Sequence, residues 1–103
     1  MALSGIITVT TTGTAVAGPA TGAGTFVIIA SPANSGTYCY IGNDGADDVT
    51  ATNGYPLSKT LGNQVVVSVG IGGLAEYYFD SDTSGDDCFY LRIAGEGDGV
   101  PAA

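Results

Sequence analysis

Histidine and tryptophan are missing from this 103-residue chain, and its basic residues are reduced to Lys59 and Arg92. Without an imidazole no Ser-His-Asp or Cys-His nucleophile can be assembled, and the usual ligand of a catalytic zinc is gone. Two cations against ten carboxylates leave a net charge of −8 and a pI of 4.1. That balance opposes nucleic-acid binding, whose affinity comes from Lys and Arg neutralising phosphates. Its plain consequence is solubility by self-repulsion.

Charge is scarce as well as one-sided. Only 12% of residues are charged, against about 25% in an ordinary soluble domain. All of them lie between Asp44 and Asp98, so residues 1–43 carry none. Such a stretch fits a core hairpin with neutral loops, or a surface laid against neighbouring subunits. No run approaches the roughly 18 apolar residues of a membrane span, and the opening MALSG lacks a secretory signal's basic region. The expectation is therefore synthesis in the cytoplasm with no membrane partner. Two cysteines, Cys39 and Cys88, are too few for a disulfide scaffold, and in a reducing compartment each is expected as a small buried hydrophobe.

What remains is 45% hydrophobic with 17 glycines, enough for one small core. About seven strand signals recur between turn residues, and Gly, Thr and Val interrupt every helical window. They are Gly5–Thr11, Thr25–Ala30, Thr37–Ile41, a short piece at Val49–Thr52, Gln64–Val69, Ala75–Asp80 and Cys88–Ala94. Pro56 confines its segment to an edge or loop. The expected class is all-β: a single antiparallel β-sandwich, jelly-roll or immunoglobulin-like. Residues 1–12 form its N-terminal strand or arm, 13–94 the sandwich and 95–103 a glycine-rich tail.

The last two strands read as a hairpin across the turn SDTSGD. Alternation along the last one sets Phe89, Leu91 and Ile93 towards the core and Cys88, Tyr90 and Arg92 away from it. Cys39, in phase with Ile41, points inward, so the two cysteines are expected as separate free thiols.

Four constellations bear on chemistry. Asp80 to Asp87 opens like a calcium loop, D-x-D-x-S-G, but Leu91 stands where the closing bidentate carboxylate belongs and strands flank it. Such acidic turns are common because Asp and Ser bond their own backbone. Asn43, Asp44, Asp47 and Asp48 form a second acidic turn, and paired carboxylates can do acid and base work, although so small a scaffold has little room for a cleft. Gly70-Ile71-Gly72-Gly73 has neither the Lys nor the helix of a phosphate loop. Six tyrosines, with Tyr77-Tyr78-Phe79 and Phe89-Tyr90 close across the expected hairpin, leave aromatic surface to be covered, most simply by a subunit interface. No catalytic, cofactor or metal residue is assigned.

Three segments in order carry a resemblance: ITVTTTGTAV, ASPANSGTYCYIGNDGADDVTATNGYPL and LAEYYFDSDTSGDDCFYLRI. The chain resembles the small β-sandwich virion proteins of tailed bacteriophages from about Ile6 to Ile93. It departs from them at Leu57–Gly62, where a Pro-Gly turn is expected, and in its aromatic last strands. The resemblance implies a non-enzymatic subunit that decorates or cements the outer capsid by bridging capsomers. Its partners would be the major capsid protein and copies of itself, as a homotrimer, with no nucleic acid or small-molecule substrate. The alternatives are a low-copy head-fibre or tail adaptor and, from another class, a calcium-stabilised adhesion or carbohydrate-binding module.

Overall fold

The structure is a computed structural model, which describes residues 4–43 and 49–95. Eight strands form in chain order: β1 (Ser4–Thr8), β2 (Val16–Ala17), β3 (Gly24–Ala30), β4 (Tyr38–Gly42), β5 (Tyr55–Ser58), β6 (Gln64–Val69), β7 (Tyr78–Ser81) and β8 (Asp87–Gly95). They build two antiparallel four-stranded sheets, β1-β8-β3-β6 and β2-β7-β4-β5. The pairs β1·β8, β2·β7, β3·β6 and β4·β5 are those of one long hairpin rolled up, and successive pairs alternate between the two sheets. The class is all-β and the strand order is that of a jelly roll, whereas an immunoglobulin sandwich places its first, second, fifth and fourth strands in one sheet.

The core lies between the sheets. Ile7, Phe26, Ile28 and Val67 face it from the β1 sheet and Cys39, Ile41, Leu57 and Phe79 from the β2 sheet, all buried. β3 is, with β8, an inner strand of the β1 sheet, as its composition predicts, since TFVIIA is apolar on both faces. Phe26 meets Tyr90 edge to face, with ring centroids 5.9 Å apart. Gly5 lies opposite Tyr90, and a Cβ there would stand 2.6 Å from the tyrosine hydroxyl oxygen, so only glycine leaves the ring its place.

The expected hairpin of the last two strands does not form. β7 belongs to the β2 sheet and β8 to the β1 sheet, so the turn between them carries the chain across the sandwich. Gly85 sits in that crossing at φ +89°, a left-handed conformation that favours glycine. β8 is also reversed in phase: Cys88 and Tyr90 are buried, while Leu91 and Ile93 are about half exposed. β3 decides this, because its inward Ile28 and Ala30 lie opposite Tyr90 and Cys88. At the strand's end a bulge between Thr25 and Phe26 lets Arg92 pair with Phe26 and donate to the Ala23 carbonyl.

Smaller differences follow from turn chemistry. Residues 50–53 are a turn, not a strand, closed by the Asn53 side chain accepting from the Thr50 N–H at 2.8 Å. Gly73–Glu76 is a single 3-10 turn, which delays β7 to Tyr78. Two-residue β2 carries no sequence signal, and β5 is the edge strand that holds Pro56.

Candidate assembly surface

The two sheets present unlike outer faces. On the β1 sheet the outward side chains align in cross-strand rows. Ile6, Phe89 and Ile29 form one row; Leu91, Val27 and Val66 form the next. Ile6, Leu91, Val66 and Ile93 are each about half exposed, at 58%, 49%, 51% and 54%. Asp87 is the only carboxylate on these four strands, at one corner, where it accepts from the Thr8 hydroxyl at 2.7 Å. Four strands at ~4.8 Å spacing and about five residues at ~3.3 Å rise give a face of roughly 300 Å² in projection, a size at which contiguous apolar surface often marks a contact site.

The edges of this sheet are equally open. β1 and β6 run five and six residues without proline or charge. Beyond its ladder with β3, β6 has no further backbone partner among the described residues. Sheet edges that must stay single are normally blunted by shortness, proline or charge.

The β2 sheet has those devices. One edge is two-residue β2 and the other carries Pro56. Its outer face is polar and partly covered. Tyr38 and Tyr40 stack with centroids 6.2 Å apart, and the Tyr40 hydroxyl donates to Asp82 at 2.8 Å. Burial, with the Asp82 hydrogen bond and charge second, pushes the Tyr40 hydroxyl up to about 12. The loop after β1 lies across β7, its Gly13 N–H donating to the Asp80 carboxylate at 3.0 Å and its Thr12 hydroxyl to the Ser81 carbonyl at 2.5 Å.

The acidic turn is a clasp whose carboxylates reach separate partners. Asp86, buried, accepts from the N–H groups of Ser35 and Gly36 at 2.9 and 2.8 Å. Asp82 takes the Tyr38 N–H as well as Tyr40, and Asp80 the Ser81 N–H as well as Gly13. Among the described residues no three His, Cys, Asp or Glu side chains are grouped to hold a metal ion. Of the second acidic turn, Asp44, Asp47 and Asp48 lie outside the described residues. Tyr77-Tyr78-Phe79 and Phe89-Tyr90 do not share a face, being carried on opposite sheets.

The cysteines, expected apart, come together. Both are free and buried, and the Cys39 thiol donates to the carbonyl oxygen of Asp87, the residue before Cys88, at 3.6 Å. The neighbouring Cys39, with burial, holds the Cys88 thiol above its ordinary value, whereas its neighbours Cys88 and Asn34 lower that of Cys39. Asn34 orders the junction. Its amide nitrogen donates to the Asp87 carbonyl at 2.9 Å and to Cys39 Sγ at 3.3 Å, and its oxygen accepts from the Asp87 N–H.

An open depression of about 550 Å³ lies at one end, lined by Ala, Gly, Thr, Ser, Val and Ile with no titratable or aromatic side chain. Among the described residues no helix is long and apolar enough to cross a membrane. Comparison with known families, with curated proteins and with solved structures finds no match to this chain.

Proposed function

We propose that this chain is a non-enzymatic structural subunit of a tailed-phage particle, a decoration or cement protein seated on the outer capsid. It is made in the host cytoplasm, joins the major capsid protein and copies of itself as a homotrimer, and bridges adjacent capsomers. The observation that carries this reading is the outer face of the β1 sheet, apolar, almost free of charge and open at both edges. Burying it desolvates a single carboxylate at its corner, and unblunted β1 and β6 offer backbone pairing to a neighbouring chain. Asp80 and Asp82 belong to the other sheet and its turn, so docking the β1 sheet leaves them at the distal side.

Two further points support it. The order of motifs from Ile6 to Ile93 resembles small phage virion proteins, and the jelly roll recurs in viral capsid and lectin domains. The carbohydrate-binding alternative has less to draw on, because the exposed aromatics Tyr38 and Tyr55 do not line the depression. The test is the copy number of this chain per purified particle, by quantitative mass spectrometry against the major capsid protein. Hundreds of copies are expected. A dozen or fewer would replace the lattice role by a fibre or tail adaptor, and absence from particles would overturn the reading.

A further inference from the structure

Cys39 and Cys88 stand nearly half the chain apart and enter the core from opposite sheets, Cys39 on β4 and Cys88 on β8. Neither has any solvent exposure. The Cys39 thiol donates to the carbonyl oxygen of Asp87, the residue before Cys88, at 3.6 Å, so the two backbones converge here. Asn34 holds both sides of the junction, bonding Cys39 Sγ and the Asp87 backbone with one side chain. A pair of buried thiols has no charge to neutralise and needs no such alignment to pack.

We propose that Cys39 and Cys88 are a modification site, a thiol pair that a low-molecular-weight disulfide converts into a cystine joining the two sheets. Cys39 is the first nucleophile, being the sulfur that gives up its proton more readily beside Cys88 and the Asn34 donor. Its thiolate attacks one sulfur of the small disulfide, forming a mixed disulfide and releasing one thiolate. Cys88 then loses its proton and attacks the Cys39 sulfur, expelling the second. The two cysteines together lose two electrons and two protons, and the small disulfide is reduced to two thiols. Because both sulfurs are buried, the exchange is fast while the chain folds and slow in the folded chain, where it waits for local opening at Asn34. The cross-link would be absent in a reducing cytoplasm and form after release into an oxidising medium, whatever the chain assembles with.

The test is to unfold the reduced protein, refold it in oxidised glutathione and measure its intact mass without reductant. The expected product is a monomer two hydrogens lighter, with no titratable thiol, melting about 10 °C higher than the reduced form. Cys39→Ser and Cys88→Ser should each lose both the mass change and the melting shift, and the wild-type mass reads the result without either variant. A lasting glutathione adduct, a disulfide-linked dimer, two intact thiols after refolding, or a cystine that lowers the melting temperature would each overturn the proposal.

Discussion

The β1 and β2 sheets contribute alike to the core and differ almost entirely outside it. Inward, each supplies a fully buried phenylalanine, Phe26 from one and Phe79 from the other, with aliphatic neighbours. Outward, the β2 sheet is finished as a solvent surface, with stacked tyrosines, bonded aspartates, a loop laid across it and edges blunted by shortness and proline. The β1 sheet is left unfinished in each of these respects. Stability needs only the inner faces, so a difference confined to the outer ones points to partners.

The largest expected effects test the inner equivalence. Phe26→Ala and Phe79→Ala should each cost about 3–5 kcal/mol in denaturant unfolding, by lost burial plus a cavity. A cost below about 1 kcal/mol for either would mean that its sheet is not held by this core.

Next come the clasps, which tie the turns to the sandwich. Asp86→Ala removes a buried carboxylate that accepts two backbone N–H groups, and should cost about 2–3 kcal/mol. Asp82→Ala, at an exposed position, should cost about 1 kcal/mol or less. Equal losses at the two sites would remove burial as the reason for the difference.

Alkaline titration addresses the finished face alone. Tyr40 has its hydroxyl raised from 10 to about 12 by burial and then by Asp82. A raised value in the folded state favours the protonated, folded form. The contribution is therefore complete below pH 10 and is lost as pH climbs to about 12. The wild type should lose stability across that window more steeply than Tyr40→Phe, which has no hydroxyl to ionise. The tyrosinate absorbance missing from Tyr40→Phe should have its midpoint near the upper limit. Parallel stability curves for the two proteins would contradict the assignment.

The smallest effect on stability is expected at the unfinished face. Val66→Lys and Leu91→Asp replace half-exposed side chains, and each should shift unfolding by no more than about 0.5–1 kcal/mol. A larger loss would make this face part of the fold rather than a place for partners.

Sequence and structure agree where composition alone decides. Gln64–Val69 reads as a strand from its valines and is one, and the all-β class follows from about seven such signals together with the lack of helical periodicity. Phase in β8 was not legible, because CFYLRIA is apolar at both parities and alternation gives no contrast; register against β3 supplies it. Nor does SDTSGD reveal whether it closes a hairpin or crosses between sheets, since the same turn residues serve both. The acidic turn stood out, but its partners at Gly13, Ser35, Gly36 and Tyr38 lie dozens of residues away. The cysteine contact was hidden by the same inversion of β8. The apolar outer face also follows from that inversion, and a sequence signal for it existed: β1, β3 and β6 all carry apolar residues in both phases or lack charge.

Under the proposed function the β1 sheet, and not the β2 sheet, seats the chain on its particle. The direct measurement is occupancy per particle when a tagged variant competes with the wild-type chain during assembly. Val66→Lys with Leu91→Asp should be depleted at least tenfold, about 1.4 kcal/mol of binding, while Tyr78→Lys on the β2 sheet should be incorporated as the wild type is. Equal incorporation of both variants, or selective loss of the β2-sheet variant, would contradict it.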